Sequence, residues 1–200
     1  MDDATRMADV TGYEQRRRNS ELQGNLRGLG ITNPIERAGA PPGAETADIR
    51  FDPSGGVTLS VGTKSQGQGH DTMYKIILSE FLGIDSDDVY LIEGDTDKAA
   101  YGTGTFGSRS ASVGGSAAFL AAEKIIDKGK RIAAHLLEAA NEDIDFECGT
   151  FSVAGTDRTV TLKDVARAAY RPGGRPKGME AGLFETGVFE PEAQTFPNGC

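Results

Sequence analysis

The feature that most constrains the fold of this chain is a glycine- and glutamine-rich loop between two apolar patterns of different period. The loop, residues 65–72, has the sequence SQGQGHDT, and we call it the first glycine loop. Before it, Val57, Leu59 and Val61 alternate with polar residues, which predicts a strand. After it, apolar residues recur at helical spacing as far as Gly83, which is placed to end a helix. A strand, a loop and a helix in this order present backbone and carboxamide groups to a bound partner.

The second glycine loop, residues 101–110 with the sequence YGTGTFGSRS, follows the next predicted strand at residues 88–93. It opens an alanine-rich pattern over residues 110–141 that predicts a helix. We expect a break near Lys128 and Gly129, since glycine costs about 1 kcal/mol in a helix interior. A glycine-rich loop at a helix N-terminus suits an anion, because N–H groups and the helix dipole point towards it. We therefore predict that the two loops hold one ligand.

The two loops offer different chemical groups. Gln66 and Gln68 carry carboxamides, which both donate and accept and so suit the edge of a heterocycle or an oxo group. The second loop combines hydroxyls, bare glycine backbone and a guanidinium, a mixture that suits a phosphate or pyrophosphate. These groups belong to Thr105, Gly107, Ser108, Arg109 and Ser110. The alternatives are that the glutamines cap the following helix or face water, and that Arg109 forms a salt bridge within a glycine-rich turn.

The remaining patterns predict one α+β body with mixed sheets and packed helices. Residues 46–51 and 57–61 flank the turn sequence DPSGG and predict a β-hairpin, and residues 57–93 as a whole predict a β-α-β unit. Further patterns predict a strand at 26–35, a hairpin at 144–153, a helix at 161–170 capped by Thr161, and a strand at 184–189. We expect a polar N-terminal segment at 1–26, either a solvated helix or a frayed start, and one region at 27–200.

Charge and composition exclude several classes of function. The chain of 200 residues has 38% hydrophobic and 26% charged residues, which is typical of a soluble globular protein. No apolar run approaches the roughly 18 residues that span a bilayer, and no signal-peptide pattern is present, so we expect no membrane partner and a cytoplasmic location. A net charge of -9 argues against nucleic acid as a partner, because phosphates require surplus Lys and Arg.

Other candidate sites are weaker. Cys148 and Cys200 form no C-x-x-C pair, so alone they build neither an iron–sulfur cluster nor a structural zinc site. His70 and His135 are the only histidines and make a poor metal site. His70 beside Asp71 has the chemistry of a general base, but we expect it to hydrogen-bond within the loop.

The first glycine loop also matches part of the dinucleotide fingerprint G-x-G-x-x-G. The third glycine, which lets the helix pack closely on the sheet, is missing, so a nicotinamide enzyme is only a distant alternative. Glu93, Asp95 and Asp97 lie at a predicted strand end, where acid and base groups are often found. A cap or loop role is expected for them at least as strongly.

Three sequence blocks in register carry a family resemblance. They are QGQGHDT at 66–72, GDTD at 94–97, and GTGTFGSRS at 102–110 with GG at 114–115. Together they resemble the molybdopterin-binding large subunit of the xanthine dehydrogenase, aldehyde oxidase and aerobic carbon monoxide dehydrogenase family, over about residues 27–200. The resemblance implies part of the α+β molybdenum-cofactor-binding domain. It also implies the molybdenum-molybdopterin cytosine dinucleotide, whose pyrophosphate the glycine loops would hold.

The resemblance implies a role for each residue of the two loops. Gln68 is similar to the glutamine that reaches the molybdenum centre or its pterin, without being a direct metal ligand. Hydrogen bonds to the pterin and its phosphate are implied for Thr105, Ser108, Arg109 and Ser110. The same cleft would be lined by Gln66, Gly67, Gly69 and Gly107.

The resemblance also implies groups that lie outside these residues. The family's large subunit is several times longer, with its substrate loop expected upstream and its essential glutamate downstream. We therefore assign no catalytic residue here, and none of Glu93, Glu185 and Glu190 takes that role. We expect an internal segment or a truncated product of an enzyme that oxidises an aldehyde, an N-heterocycle or carbon monoxide, with water as the oxygen source.

The partners that the resemblance implies are an FAD-binding medium subunit and an iron–sulfur small subunit with 2Fe-2S clusters. The assembly implied is a dimer of heterotrimers, through which electrons leave the molybdenum centre. The alternative is a structural or subunit-interaction fragment that keeps the fold and binds no cofactor.

Overall fold

The computed structural model describes residues 2–39 and 43–197. Contacts divide them into two units, one from the described parts of Met1–Ala38 and Thr195–Cys200 and one from the described part of Gly39–Gln194. Among the described helices, none combines the length and the apolar character that crossing a bilayer requires. The sequence predicts a polar segment at 1–26 and a functional region at 27–200. Contacts alone do not test this functional division, so it stays a prediction.

The first unit contains three short helical segments and is largely exposed. Its elements are α1 (Asp2–Met7), a short 3-10 turn (Val10–Gly12) and α2 (Tyr13–Leu22). Ser20 is the buried residue of α2, and the rest of that helix is in contact with solvent. The solvated helix, the first of the two structures expected for the polar N-terminus, is therefore confirmed.

The strand predicted at residues 26–35 is wrong for residues 26–34, which have no regular secondary structure. Leu26, Leu29 and Ile31 are 95%, 44% and 58% exposed. The alternation of small and aliphatic residues fits a strand, but no described strand lies beside this segment to share its hydrogen bonds. A strand without a partner is unstable in water, so the pattern alone does not produce one.

The second unit is built on a four-stranded sheet of order β3-β2-β1-β7 and a smaller sheet of order β4-β5-β6. The strands are β1 (Glu45–Phe51), β2 (Val57–Val61), β3 (Val89–Glu93), β4 (Ile144–Glu147), β5 (Thr150–Val153), β6 (Thr159–Thr161) and β7 (Leu183–Phe189). The helices are α3 (His70–Leu82), α4 (Gly115–Leu136), which follows one π-helical turn (Ser110–Gly114), and α5 (Leu162–Ala169). Both helices and mixed sheets are present, so the predicted α+β class is confirmed.

The pairing of the large sheet follows the sequence patterns closely. β1 and β2 are antiparallel, as the hairpin prediction required. β2 and β3 are parallel and α3 lies between them in the chain, which confirms the β-α-β unit. β7 pairs antiparallel with the other side of β1. Residues from the C-terminal part of the unit therefore complete the sheet that the hairpin begins.

Glycines decide where two of the helices end or continue. α3 ends before Gly83, which has a φ of 60° and stands, as predicted, at the helix C-terminus. A Cβ at Gly83 would lie 2.2 Å from the backbone of Cys148, so the position also allows close packing of the β4–β5 turn. The break predicted near Gly129 is wrong, because α4 continues through it. A Cβ at Gly129 would lie 2.5 Å from the Phe151 ring, so this glycine makes room for an aromatic side chain.

The small sheet forms largely as its sequence predicts. The β4–β5 hairpin turns at Cys148 and Gly149, whose φ angles of 46° and 76° are left-handed. α5 begins after Thr161, whose hydroxyl accepts a hydrogen bond from Asp164 N at 3.1 Å, which confirms the predicted N-cap. β6 was not predicted, because three residues are too few to show an alternating pattern.

One edge of the large sheet gathers the ends of three neighbouring strands. Glu93 ends β3 and lies opposite Val61, the last residue of β2. Val61 lies opposite Ala47, two residues after Glu45 opens β1. The first glycine loop follows β2 and the second follows β3, so parallel pairing brings both loops to this edge.

Candidate functional site

The two glycine loops contact each other at the shared sheet edge. Lys64 N donates a hydrogen bond to Thr105 Oγ1 at 2.8 Å, and Gln66 Nε2 donates to Thr105 O at 3.4 Å. The hydroxyl of Ser110 donates to the same Thr105 Oγ1 at 3.0 Å. Thr105 is therefore the residue through which the second loop meets the first. The prediction that the two loops hold one ligand requires them to lie together in this way, and it stays a prediction.

The first glycine loop presents its glutamines and glycines to solvent. Gly67 and Gly69 have φ angles of 95° and 82°, a region that a side chain disfavours. A Cβ at either glycine would meet no atom within 4 Å, so the space beside the loop is open. Gln66 and Gln68 are exposed, and Gln68 Oε1 accepts from Gln66 N at 2.5 Å. Neither glutamine caps α3. The N-cap residue of α3 is Gly69, and the helix has no side-chain capping hydrogen bond at this end.

A carboxylate from β3 holds the first glycine loop from the sheet side. Glu93 Oε1 accepts a hydrogen bond from Ser65 N at 2.9 Å, and Glu93 Oε2 lies 2.9 Å from His70 Nδ1. His70 is 2% exposed. The expectation that His70 hydrogen-bonds within the loop is therefore wrong, because its partner is the carboxylate at the end of β3.

Tyr74, one turn into α3, joins the two loops beneath their exposed surface. Its hydroxyl lies 2.8 Å from Thr63 Oγ1 and donates to Ser110 O at 3.3 Å. Burial raises the pKa of Tyr74 to about 12, so the phenol keeps its proton and remains a donor even above pH 10. A Cβ at Gly114 would lie 2.3 Å from this hydroxyl, which explains the glycine in the π-helical turn.

Arg109 is buried in the second loop, with an exposure of 1%. Its Nη1 forms an ion pair with Glu45 Oε2 and also donates to Gly104 O at 3.0 Å. Its Nη2 donates to Gly43 O at 2.8 Å. The salt bridge that we had kept as the alternative for Arg109 is therefore present. Phosphate binding by this guanidinium, the role implied by the resemblance, stays a prediction that these contacts do not favour.

Glu45 is the functional-site residue that sequence reasoning missed. It is fully buried, and its Oε1 accepts a hydrogen bond from Thr103 N at 3.1 Å. A Cβ at Gly102 would lie 2.2 Å from Gly62 Cα, so two glycines allow the loop backbone to touch the end of β2 beside this carboxylate. No local pattern distinguishes Glu45 from a solvated strand-end acid, because its partners are far along the chain.

Gly107 and Ser108 are two of the exposed residues of the second glycine loop. Both are left-handed, with φ angles of 55° and 50°, and serine rarely adopts this conformation. Ser108 O accepts a hydrogen bond from the Ser112 hydroxyl at 3.2 Å, which ties the loop to the π-helical turn. Successive backbone groups in such turns form concavities that favour anions.

The structure separates the predicted site residues into two groups. The exposed group can meet a ligand directly and consists of Gln66, Gly67, Gln68, Gly69, Gly107 and Ser108. The internal group is half-buried or buried and bonds to protein atoms, and it consists of Thr105, Arg109 and Ser110. Within residues 2–39 and 43–197, no cluster of His, Cys, Asp or Glu could hold a metal ion. Asp95 Oδ1 accepts a hydrogen bond from Asp97 N at 2.9 Å, so Asp95 has the loop role that was expected.

The two glycine loops present carboxamides and left-handed backbone at one sheet edge. Residues 6–200 match the family model described as "Molybdopterin cofactor-binding domain". The chain belongs to this family.

The relatives place the domain in the xanthine dehydrogenase, aldehyde oxidase and carbon monoxide dehydrogenase family, as the resemblance implied. The chain is 38% identical to the carbon monoxide dehydrogenase large chain of Afipia carboxidovorans, over 96% of this chain and 26% of that one. It is 34% identical to the nicotine 6-hydroxylase large subunit of Paenarthrobacter nicotinovorans, over 96% of this chain and 25% of that one. It therefore spans about a quarter of the length of these relatives.

Solved structures show the same fold. A crystal structure of a Cu,Mo-CO dehydrogenase matches with a TM-score of 0.78 and 37% identity, covering 97% of this chain and 27% of that chain. Quinoline 2-oxidoreductase from Pseudomonas putida 86 matches with a TM-score of 0.76 and 32% identity, covering 98% and 26%. The fold of a molybdenum-cofactor-binding domain is thereby confirmed.

Proposed function

We propose that this chain is the cofactor-holding part of a molybdenum hydroxylase large subunit. The observation that carries the proposal is the meeting of the two glycine loops, joined through Thr105, at one edge of the large sheet. The names of the relatives support it, since they include a carbon monoxide dehydrogenase and a nicotine hydroxylase. Binding of molybdopterin by this chain is the function that this geometry supports best.

The exposed residues of the loops fit such a cofactor. The space beside Gly67 and Gly69 is open, so a ligand can approach the backbone of the first loop without a side chain in the way. The exposed carboxamides of Gln66 and Gln68 can hydrogen-bond to the edge of a pterin. The left-handed backbone at Gly107 and Ser108 suits a phosphate. We therefore propose the cytosine dinucleotide form, because its pyrophosphate gives the second loop an anion to bind.

The protein's own contribution is to bind and orient the cofactor. When bound, the molybdenum centre would supply the redox chemistry that oxidises an aldehyde, an N-heterocycle or carbon monoxide, with water as the oxygen source. Gln68 would approach the centre or its pterin, while its Oε1 is held by Gln66 N at 2.5 Å. This hydrogen bond fixes the side-chain oxygen, so the amide nitrogen is the group that Gln68 can offer as a donor.

The wider assembly is part of the same proposal. We propose that an FAD-binding medium subunit and an iron–sulfur small subunit receive the electrons, in a dimer of heterotrimers. The essential glutamate would come from outside the residues of this chain. The cytoplasmic location expected from the sequence also stays a prediction.

Metal analysis tests the proposal. The double variant Gln68→Ala/Ser108→Ala would be produced together with the proposed partner subunits, and molybdenum and the fluorescence of the oxidised pterin would be measured. We expect both to fall together, because the variant removes one exposed group from each loop. The matched control is Gln23→Ala/Ser86→Ala, which alters the same residue types outside the two loops.

Unchanged molybdenum and pterin in the loop variant would contradict the proposed function. If the protein unfolds cooperatively and binds a medium or small subunit while never containing pterin, the cofactor-free interaction fragment would take its place. The fold would then serve assembly rather than cofactor binding.

A further inference from the structure

The interior of the second glycine loop contains an ion pair that the proposed function does not by itself require. The side chains of Arg109 and Glu45 are 1% and 0% exposed, although the residues are 64 positions apart in the chain. Removing either partner of a charge pair at this depth strongly destabilises the folded protein, because the other charge remains buried and unpaired. The pair is therefore a fixed part of the loop.

The hydrogen bonds of Arg109 leave little of its guanidinium for a ligand. Nη1 donates to Glu45 and to Gly104 O, and Nη2 donates to Gly43 O. Among the described residues, Arg109 Nε has no hydrogen-bond partner, but it is buried as well. A phosphate could reach this guanidinium only if the loop opened and Glu45 lost its partner.

The same contacts close the second loop into a defined turn. Glu45 accepts from Thr103 N near the beginning of the loop, and its ion-pair partner Arg109 lies near the end. Between these points Arg109 also donates to Gly104 O, and the guanidinium lies 5.4 Å from the centre of the Phe106 ring. The left-handed residues at 107 and 108 lie inside this turn, so the ion pair holds the backbone that faces the ligand.

We propose that Glu45 and Arg109 are positioning residues, which act on cofactor binding by holding the second glycine loop in shape, and that Arg109 is not a phosphate ligand. The inference rests on the proposed function, since the loop is shaped for the cofactor proposed above. It assigns a role to Glu45, and it gives Arg109 a structural role in the loop in place of phosphate binding.

A double-mutant cycle tests the inference in the assembled enzyme. The variants are Glu45→Gln, Arg109→Lys and the combination of both, and the measurement is the rate at which pterin is released. If the two residues act as a unit, each single variant releases pterin about tenfold faster and the combination is no faster than either one. If Arg109 binds phosphate by itself, Arg109→Lys has the large effect and Glu45→Gln leaves the release rate unchanged, which would overturn the inference.

The salt dependence of release separates positioning from direct contact. Removing a charge that touches a phosphate weakens the dependence of pterin release on salt concentration, whereas buried charges are screened little. For this measurement Arg109→Gln replaces Arg109→Lys, because glutamine removes the charge that lysine would keep. We expect the same salt dependence in Glu45→Gln, Arg109→Gln and the unmodified enzyme, and a weaker dependence in Arg109→Gln alone would show direct contact with the cofactor's phosphate.

Hydrogen exchange keeps the inference testable whether or not cofactor is bound. Amides of residues 104–108 should exchange faster in Glu45→Gln than in the unmodified protein, and unchanged exchange would count against the positioning role.

Phe106→Leu is a milder second variant, since its ring is 44% exposed and its loss leaves the ion pair in place. It should raise the release rate only about two- to threefold, in line with an exposed cation–π contact.

The two proposals fail in different ways. If Gln68→Ala/Ser108→Ala keeps its molybdenum, the proposed function fails whatever the ion pair does. If that variant loses molybdenum while Glu45→Gln binds pterin normally, only the positioning role fails.

Discussion

Each of the two glycine loops is held by one carboxylate at the same sheet edge, but the two carboxylates lie at different depths. Glu93, which holds the first loop, has a side chain that is 15% exposed and meets a backbone N–H and His70. Glu45, which holds the second loop, has a fully buried side chain and meets the guanidinium of Arg109. The comparison teaches that the second loop is fixed by buried charge, while the first presents exposed carboxamides from a shallower attachment.

The largest expected effect comes from breaking the buried pair. Arg109→Leu leaves Glu45 without a counter-charge and should lower the free energy of unfolding by about 3–5 kcal/mol. Urea denaturation measures this difference. The control is Arg131→Leu, an exposed arginine on α4, for which we expect a change within about 0.5 kcal/mol. Equal losses of unfolding free energy in the two variants would contradict the claim that buried charge fixes the second loop.

The next effect concerns Tyr74, which joins the two loops. Its pKa is raised from 10.0 to about 12 by burial. The folded protein therefore keeps this proton between about pH 10 and pH 12, while the unfolded chain releases it. The stabilisation is fully present below pH 10 and is lost as pH rises towards 12, by roughly 2–3 kcal/mol.

Unfolding measured from pH 9 to pH 12 checks this sign. Tyr74→Phe removes the titrating group and should lose less stability over the same range than the unmodified protein. Parallel curves for both proteins would show that Tyr74 does not titrate as its burial requires.

A smaller effect is expected at the shallower carboxylate. His70→Ala removes the partner of Glu93 Oε2 and should lower the free energy of unfolding by about 1–2 kcal/mol. His135→Ala is the matched control, because His135 is exposed and its hydrogen bond is to Gly173 O. If the loss of unfolding free energy in His70→Ala is larger than in His135→Ala and smaller than in Arg109→Leu, the first loop is held less strongly than the second. A loss as large as that of Arg109→Leu would show that both loops are held equally strongly.

The smallest effect on stability is expected at the exposed carboxamide. Gln68→Ala should change the free energy of unfolding by no more than about 0.5 kcal/mol, since the side chain is exposed and bonds within its own loop. Pterin content should nevertheless fall, because ligand contact and fold stability depend on different residues. A strongly destabilised Gln68→Ala would instead assign this glutamine to the scaffold.

Patterns that depend on near neighbours were predicted correctly. Gly83 ends α3 and Thr161 caps α5, because helix termini are decided by hydrogen bonds within a few residues. The strand at 26–34 and the break at Gly129 were wrong, because each depends on a distant segment. The strand needed a neighbouring strand, which the described residues do not provide, and Gly129 is required for packing against Phe151 rather than for a helix break.

The sequence by itself determined the β-α-β unit, the two glycine loops and their family, because residue type and spacing within short stretches specify them. Only the tertiary structure decided which loop residues meet a ligand. Gln68 and Arg109 belong to equally polar motifs, yet one is exposed and the other is buried against Glu45. The physical reason is that burial and ion pairing depend on residues far apart in the chain, which the strand register brings to one sheet edge.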